Sequence, residues 1–314
     1  MTRAARLRAV LLTCALVLHG VSAAAATRVI VIGGLGGDPD FEKRFEDWSA
    51  RIAERAATAT GSSGGVTRLA GSAARLDAIE AALRTAASQL GAGDTFILVL
   101  IGHGSFDGND YRFNIPGPDV TGTQLAAWLD RIPATVPQLV VNATSASGAV
   151  AEKWARAHRI VITATRTAGE RNATRFGAYW AEALASEEAD RDKDGNITAQ
   201  EAYDFTNRRV EDAYKADAAI ATEHARLGGN DPGRFVVARL GDAAKFGTDG
   251  ELIALREQQL AVEERLDAVR AQKAQMPEDQ YYTQLEPVLV DMARLGARID
   301  ARLAALGGGN ARPR

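Results

Sequence analysis

Residues 190–201 carry a dense and regularly spaced set of oxygen donors. The stretch reads Asp-Arg-Asp-Lys-Asp-Gly-Asn-Ile-Thr-Ala-Gln-Glu, which places side-chain oxygens at its first, third, fifth, ninth and twelfth positions. Calcium takes about six to eight oxygen ligands, and carboxylates at alternate positions of a tight turn can all face one ion. Gly195, at the sixth position, permits the sharp bend that such a turn needs. The spacing predicts a calcium-binding loop.

The position of each residue assigns its expected role in this loop. Asp190, Asp192 and Asp194 are expected to supply carboxylates. Asn196 would supply its backbone carbonyl, and Thr198 its hydroxyl, directly or through water. Glu201 would close the loop as a bidentate ligand. Predicted helices over 176–187 and 199–214 flank the loop, as the EF-hand motif requires. No second copy occurs, which favours a structural staple over a paired calcium sensor. The alternative is an acidic surface turn.

A histidine and a serine each follow a strand-like apolar run. Phe96–Ile101 leads into Gly-His-Gly-Ser with His103, and Leu139–Asn142 leads into Ala-Thr-Ser-Ala-Ser-Gly with Ser145. A histidine can act as the base for a serine nucleophile when a third group orients its ring. The structural alternatives are a buried histidine that bonds a backbone carbonyl and a serine that makes turn hydrogen bonds.

No acidic partner for His103 can be identified from the sequence. Asp107 and Asp110 are close in the chain, but loop carboxylates this near are expected to cap their own turn. Glu223 and His224 are adjacent in a stretch that we interpret as helical and polar. Neighbouring helical residues do not face each other, so a surface or packing role is expected for this pair.

Alternating strand-like and helix-like segments must position these residues. The apolar runs at 29–32, 95–101, 138–142 and 160–163 are nearly continuous, as in strands covered on both faces. Amphipathic segments at 41–56, 73–90, 123–131 and 148–158 separate them. The pattern predicts an α/β fold with three layers around a mostly parallel sheet. Ligands of such sheets bind beyond the carboxyl ends of the strands, where His103 and Ser145 are expected.

The first of these strand ends, Gly33–Gly37, resembles a dinucleotide-binding loop only superficially. Pro39 stands where that pattern requires glycine, so a tight, solvent-facing turn is expected instead. Beyond Pro232 apolar residues repeat every seven positions in two runs, which Pro277 separates. This coiled-coil-like spacing predicts an antiparallel helical hairpin that packs on the domain or on a second copy.

The amino terminus is typical of an export signal. Arg3, Arg6 and Arg8 precede an apolar run over 9–18, and the small residues Ala23–Ala26 follow. The run is too short to span a bilayer, and no later stretch is suited to do so. We expect a periplasmic or secreted protein made of a signal peptide (1–26), an α/β domain (27–245), a helical hairpin (246–306) and a disordered tail (307–314).

Composition limits the chemistry further. Cys14 is the only cysteine, and it lies within the signal, so the mature chain has neither a thiol nucleophile nor a disulfide. A formal net charge of −3 and 6% aromatic residues give no reason to expect a nucleic-acid partner. The whole chain has 4 histidines, which leaves little material for a metal hydrolase.

The two strand-end loops resemble those of the legumain (C13-like) and caspase-type peptidases. In that family a His-Gly ends one central strand, and a small-residue run that holds the nucleophilic cysteine ends the next. Ser145 stands at the cysteine position, and Ser147-Gly148 completes the run. The segment 163–170 is similar to part of the family's substrate pocket. The resemblance spans about residues 28–179 and excludes the calcium loop and the hairpin.

The resemblance implies a caspase-like fold and roles for three residues. His103 would be the base, Ser145 would replace the thiol, and the Gly104 N–H would belong to the oxyanion hole. Two hypotheses follow. The first is a non-catalytic pseudo-peptidase that uses the cleft to bind a peptide or protein; the second is a serine peptidase or hydrolase. The first is favoured because replacing cysteine by serine in a Cys–His dyad usually removes activity.

Overall fold

The computed structural model describes residues 26–60, 65–247 and 249–307. The predicted signal peptide, apart from Ala26, and the predicted tail beyond Gly307 lie outside the described residues. In chain order the strands are β1 (Thr27–Gly33), β2 (Val66–Leu69), β3 (Thr95–Ile101), β4 (Gly104–Phe106), β5 (Tyr111–Phe113), β6 (Val120–Thr121), β7 (Gln138–Asn142), β8 (Arg159–Thr163), β9 (Asn196–Thr198), β10 (Arg226–Gly228) and β11 (Val236–Arg239).

The helices connect these strands and then form the carboxyl-terminal hairpin. They are α1 (Pro39–Thr60), α2 (Leu76–Gln89), α3 (Gly122–Leu129), α4 (Ala151–Trp154), α5 (Phe176–Ala183), α6 (Ala199–Ala216), α7 (Gly241–Phe246), α8 (Gly250–Ala271) and α9 (Glu278–Ala305). Across the described residues, none of the helices combines the length and apolarity that crossing a bilayer requires.

A six-stranded sheet organises the domain, in the order β10-β8-β7-β3-β1-β2. The pairs within β2, β1, β3, β7 and β8 are parallel, and β10 pairs with β8 in the antiparallel direction. The predicted strands at 95–101 and 138–142 are confirmed with their bounds. Their continuous apolar runs reflect burial on both faces, because each strand sends alternate side chains into two different cores.

Helices cover both faces of this sheet. One core joins side chains such as Val31 and Val99 of the sheet to α1, α5 and α6. The opposite core joins side chains such as Ile32 and Leu100 to α2, α3 and α4. The predicted three-layer α/β fold with a mostly parallel sheet is therefore confirmed, and the carboxyl-terminal helical hairpin is present.

One predicted helix is much shorter than expected. The segment 148–158 forms a 3₁₀ turn over Ser147–Val150 and the four-residue helix α4. Ala155 already has an extended conformation, with ψ of 131°. The chain must turn here because the His158 carbonyl accepts a hydrogen bond from Gln138 N and β8 begins at the next residue. Tertiary pairing thus overrides the local helical pattern.

The hairpin buries its apolar stripe mainly within itself. Its core contains Leu255 and Val262 of α8 and Val288, Leu295 and Ile299 of α9. Polar contacts then link α8 to the α/β domain, for example the ion pair between Arg234 and Glu264. The two helices of the hairpin thus bury most of their apolar surface against each other.

Candidate functional site

The carboxyl ends of β3 and β7 bring His103 and Ser145 into one cluster of loops. Leu100 is paired in register with Asn142, and His103 and Ser145 each lie three residues beyond that pair. The β1 end is the third side of the cluster, because Gly34 N donates to Ile101 O at 2.7 Å. The cluster lies at the carboxyl edge of the sheet, beside the switch point between β1 and β3, and ligands of open α/β folds bind at such places.

Gly104 shows how tightly the two loops pack. A Cβ atom built on Gly104 would lie 2.5 Å from Ser145 O, 2.6 Å from Thr144 Oγ1 and 2.6 Å from the Tyr111 ring. Side chains do not occur at such distances, so only glycine fits between the loops. The backbone after His103 therefore lies directly against the backbone of Ser145.

A backbone carbonyl orients the His103 ring. His103 Nε2 lies 3.2 Å from Gly36 O, and a carbonyl can only accept, so Nε2 carries the proton in this hydrogen bond. The rings of Phe41 and Phe45 meet the imidazole edge-on, at centroid distances of 4.7 and 5.0 Å. His103 is half-buried. This geometry leaves Nδ1 as the ring nitrogen that can take up a proton.

Gly36 is a site residue that the sequence interpretation missed. The loop was expected to be a solvent-facing turn, but Gly34 and Gly36 are buried. A Cβ on Gly36 would lie 2.3 Å from Glu42 N, and Glu42 Oε1 accepts from Gly36 N at 2.8 Å. The helix that follows thus holds the loop so that its carbonyl faces His103. The run of glycines in the sequence was the feature that could have indicated this close packing.

Ser145 is 2% exposed and is held by its backbone rather than by its hydroxyl. Thr144 Oγ1 donates to Ser145 O at 3.1 Å. Within the described part of the chain, the Ser145 hydroxyl makes no hydrogen bond, either to His103 or to another group. The structure therefore places the two predicted residues side by side without joining them as nucleophile and base.

The neighbouring hydroxyl of Thr144 is fully engaged. Thr144 Oγ1 lies 2.5 Å from Tyr111 Oη and 2.8 Å from Asn142 Oδ1. All three residues are buried, and burial raises the pKa of the Tyr111 phenol, which therefore stays neutral. This polar cluster fixes the end of β7 beneath Ser145.

The turn after Ser145 is strained and is locked against the segment 163–170. Ala146 has a φ of 53°, a left-handed conformation that residues with a Cβ rarely adopt, and its N–H donates to Glu170 O at 2.8 Å. Ser147 Oγ accepts from Thr165 N at 3.1 Å, and Gly148 N donates to Thr165 Oγ1 at 2.8 Å. The Ser-Gly run and the predicted pocket segment thus form one unit.

Asp107 and Asp110 do not reach His103. Asp107 accepts from Asn109 N and Asp110 N, and these backbone hydrogen bonds, with the Arg112 side chain, lower the pKa of Asp107 to about 2. Asp110 accepts from Thr123 N at 3.1 Å. Both carboxylates cap local structure, as the sequence predicted, and neither serves as the acid behind the histidine.

The acidic loop is a second, separate candidate site. One ligand atom from each of Asp190, Asp192 and Asp194 lies within 4.8 Å of the others. Asp190 is 5% exposed, and its two oxygens accept from Asp194 N at 3.1 Å and Gly195 N at 2.9 Å. Gly195 has a φ of 84°, which explains the glycine at this bend. The three carboxylates converge on one position, but the predicted helix before the loop is shorter than expected, because α5 ends at Ala183.

The residues at the carboxyl end of the loop are also held in place by hydrogen bonds. Thr198 caps α6 in a capping box with Glu201, and Glu201 Oε1 accepts from Arg191 N at 2.9 Å across the loop. Asn196 N donates to Asp194 Oδ1 at 2.6 Å. Glu201 is thus held at the mouth of the same turn as the three aspartates.

Electrostatics favour a cation at this position. Partial burial of the carboxyl group and the nearby Asp194 carboxylate, followed by Glu201 and Asp190, raise the pKa of Asp192 to about 7. A divalent cation would relieve this repulsion, and the donors are the hard oxygens that calcium prefers. The residues present therefore fit the predicted ion.

Two parts of the molecule, the α/β domain and the hairpin, meet at the acidic loop. β9, which contains Asn196 and Thr198, pairs with β11 in the antiparallel direction, and Leu240 N donates to Gly195 O at 2.7 Å. From the hairpin, Arg256 Nη2 donates to Asp194 O at 2.7 Å. The loop thus joins the α/β domain to the hairpin.

The interpretation of Glu223 and His224 as helical was wrong. Residues 219–225 form an irregular segment between α6 and β10. Glu223 is buried and accepts from Arg175 N at 2.7 Å and Phe176 N at 3.2 Å, so it caps the start of α5. Burial raises its carboxyl pKa. His224 Nδ1 lies 2.8 Å from Glu170 Oε1, which ties this segment to the Ser145 loop cluster.

Comparisons with known proteins give structural likeness alone. No protein-family profile and no curated protein sequence match the chain. Protein GSU0716 from Geobacter sulfurreducens aligns with a TM-score of 0.45 and 17% identity, covering 68% of this chain and 97% of that one. Caspase-1 from Spodoptera frugiperda aligns with a TM-score of 0.45 and 12% identity, covering 66% and 87%. Likeness at this level transfers no activity to this protein.

Proposed function

We propose that this protein is an exported, calcium-stabilised domain of the caspase/legumain type that lacks peptidase chemistry and binds a peptide or protein at its strand-end cleft. The observation that carries the proposal is the state of Ser145. The residue is 2% exposed, and its hydroxyl makes no hydrogen bond to His103 in the described structure, while Nε2 of the histidine is bonded to Gly36 O.

This geometry does not supply what a serine nucleophile needs. A serine hydroxyl is a weak acid and attacks only when an aligned base removes its proton. Ser145 lacks that hydrogen bond, and His103 has a carbonyl rather than a carboxylate behind it. A thiol would depend less on such alignment, because part of it is ionised near neutral pH. The mature chain has no thiol, since Cys14 lies in the predicted signal peptide.

The ordered packing around His103 and Ser145 supports a binding role for this part of the protein. Gly104 and Gly148 fit places where a Cβ would overlap backbone atoms, and Thr165 holds the Ser147 hydroxyl in position. Each of these glycines and buried hydroxyls is a specific requirement of the packing at this strand edge. We infer that this ordered strand edge serves recognition.

Calcium is the proposed resident ion of the acidic loop. Carboxylates of the three aspartates would hold it, with the Asn196 carbonyl, Thr198 and Glu201 completing the set. The bound ion would neutralise the repulsion that raises the pKa of Asp192. Because the loop touches β11 and α8, this neutralisation would stabilise both neighbours.

A serine hydrolase is the second candidate function, and one observation favours it. The left-handed conformation of Ala146, φ 53°, makes a strained turn directly after Ser145. Strained turns of this kind expose the nucleophile in other serine hydrolases. In this protein, however, the turn leaves Ser145 only 2% exposed.

Labelling with a fluorophosphonate probe separates the two functions. We expect native protein and Ser145→Ala to show the same background labelling in the presence of calcium. Labelling of the native protein that disappears in Ser145→Ala would overturn the non-catalytic proposal. A chymotrypsin-family protease labelled in parallel serves as the positive control for the probe.

Isothermal titration calorimetry tests the calcium part. We expect one calcium per chain for the native protein and none for Asp190→Ala, which loses the most buried carboxylate. Asp212→Ala is the matched control, because Asp212 is an exposed acidic residue of α6 whose one ion pair within the described residues is with Lys215. Equal binding by native protein and Asp190→Ala would contradict the proposed site.

A further inference from the structure

A second cleft, the hairpin cleft, lies at the end of the sheet opposite His103 and Ser145. It has a volume of about 880 Å³ and is lined by the first residues of three parallel strands, which are Thr27 of β1, Thr95 of β3 and Gln138 of β7. The start of α8, at Gly250, Ile253 and Glu257, lines its other side. Pockets that bind small molecules have volumes of about 300–1,000 Å³ and often lie between two units of a chain. The size and position of the hairpin cleft are those of a ligand site.

Apolar side chains line much of the hairpin cleft. Ile160 of β8 and Phe235, which precedes β11, are buried, at 4% and 8% exposure. Ile253 of α8 lines the cleft as well, but it is 42% exposed and stands outside the apolar core of the hairpin. An apolar ligand that covers these side chains would remove their remaining surface from water, which favours binding.

Arg239, at the end of β11, adds a partly buried cation to this surface. Its Nη1 donates to Thr58 O at 3.3 Å and to Ala59 O, at the end of α1. In the part of the chain that the structure describes, the guanidinium has no ion-pair partner, and the Asp194 carboxylate attracts it only from a greater distance. Burial lowers the pKa of the guanidinium, because a charge without a bonded counter-ion is poorly stabilised away from water. An anion in the cleft would supply that counter-ion.

One edge of the Arg239 guanidinium is available for such an anion. The hydrogen bonds to the end of α1 use Nη1, whereas Nε and Nη2 donate to no group of the described residues. Two neighbouring N–H groups of a guanidinium can hold both oxygens of one carboxylate in parallel hydrogen bonds. The unused edge therefore suits a carboxylate.

The other titratable groups of the hairpin cleft leave this preference unchanged. Arg234, Asp231 and Glu257 also line the cleft, but all three are exposed, so water and salt screen their charges. Burial and the charge of Arg159 lower the pKa of His158, so its ring carries no charge at neutral pH. The buried charge of the cleft is thus positive, which favours an anion over a cation.

We propose that the hairpin cleft binds a small amphipathic carboxylate, a molecule with one carboxylate on an apolar body. The carboxylate would accept hydrogen bonds from Arg239, and the apolar body would lie against Ile160, Phe235 and Ile253. The site offers one partly buried cation beside apolar side chains, which is the complement of such a molecule. It uses neither His103 nor Ser145 and goes beyond the proposed peptide binding at the strand-end cleft.

Calorimetry with two amphiphiles of opposite charge tests the chemistry of the site. Octanoate and octylammonium have the same apolar chain, so their comparison isolates the charged group. We expect one octanoate per chain, with a Kd at least about tenfold lower than that of octylammonium. Equal affinities, or no octanoate binding, would overturn the proposal. The calcium titration and the labelling of Ser145 measure different sites, so their outcomes are independent of this one.

Variants of the cleft test the assigned residues. Arg239→Gln should weaken octanoate binding about tenfold, and Arg239→Lys, which keeps the charge, should weaken it by about threefold at most. Because Arg239 also bonds the end of α1, a second variant leaves it intact. Ile253→Glu places a negative charge in the cleft and should also weaken binding about tenfold. Ile220→Glu is the matched control, since Ile220 is 89% exposed and lies outside the cleft. Equal affinities in the two glutamate variants would contradict the proposed site.

Photocrosslinking determines where the ligand binds. An octanoate analogue that carries a diazirine on its chain is irradiated with the protein, and labelled peptides are identified by mass spectrometry. We expect labels within residues 230–239 and 250–257, and their loss when excess octanoate is present. Labels concentrated instead on exposed apolar residues of α9, such as Tyr282 and Leu289, would show non-specific binding and overturn the proposal.

Discussion

The acidic loop and the His103–Ser145 cluster are built in opposite ways. All proposed ligands of the loop fall within residues 190–201, and backbone N–H groups of the same turn orient them. The strand-end cluster combines residues from the ends of β1, β3 and β7 and from the segment 163–170. One site is contained in a continuous sequence, and the other exists only in the folded sheet.

This difference determines what each site can tolerate. The loop depends on charge, so its properties change with pH and with the ion. The strand-end cluster depends on close backbone contact, so its properties change with atomic volume. The following experiments separate these two dependences.

Gly104→Ala should have the largest effect. The new Cβ would meet three buried groups at 2.5–2.6 Å, all of which are fixed by hydrogen bonds or packing. We expect a loss of about 3 kcal/mol in the free energy of unfolding, measured in urea with calcium present. Gly91→Ala is the control, because among the described residues no atom beyond its two chain neighbours lies within 4 Å of the added Cβ. Similar values for both variants would show that the two loops do not pack as described.

Thr144→Val and Ser145→Ala should differ although the residues are adjacent. The valine removes the hydroxyl that Tyr111 Oη and Asn142 Oδ1 both contact and leaves them only their own hydrogen bond at 3.3 Å, which should cost about 1–2 kcal/mol in unfolding free energy. The alanine removes an unpartnered hydroxyl and should change stability by less than about 0.5 kcal/mol. A larger loss for Ser145→Ala than for Thr144→Val would mean that the serine hydroxyl has a structural partner.

Calcium affinity should depend on pH through Asp192. Its pKa of about 7 means that one proton competes with the ion near neutral pH, so affinity should be about tenfold weaker at pH 6 than at pH 8. Calorimetry at the two pH values measures the change. Asp192→Asn should bind more weakly at both values and show a much smaller dependence on pH.

The same pKa determines how the stability of the calcium-free protein depends on pH. A carboxyl whose pKa is raised on folding contributes stability that is present below its unfolded pKa of about 4 and is lost as the pH rises through about 7. In chelator, the Tm of native protein relative to Asp192→Asn should therefore fall between pH 4 and pH 7. A rise over this interval would contradict the electrostatic description of the loop.

Arg256→Gln should have a small effect that is confined to the loop and the hairpin. The variant loses the hydrogen bond from the hairpin to Asp194 O, which should cost about 0.5–1 kcal/mol and speed amide hydrogen exchange in residues 190–196. Arg265→Gln is the matched control, because Arg265 pairs with Asp291 within the hairpin at 3.2 Å. Equal exchange rates in the two variants would show that the hairpin does not support the loop.

The sequence was sufficient where the physical signal is local. The acidic loop follows from side-chain spacing alone, and the central strands follow from long apolar runs buried on both faces. The positions of His103 and Ser145 at neighbouring strand ends follow from parallel pairing. Each of these inferences needs only a few consecutive residues and one general rule of packing.

Features that depend on distant contacts were not predicted. The small sheet of β4, β5 and β6 has strands of two or three residues, which are too short to show a period of two. The carbonyl of Gly36 acts on a histidine 67 residues away. Glu223 is polar and lies in an irregular segment, so its burial as a helix cap could not be inferred from its neighbours.

The pairing of β9 with β11 has a consequence for how the loop responds to calcium concentration. β11 occupies the strand edge of the loop with residues of the same domain. A second loop, of this chain or of another, therefore cannot use this edge to pass its own occupancy to this one. Binding should follow a simple hyperbola with a Hill coefficient of about 1. The site would then fill gradually as the calcium concentration rises, without a sharp threshold.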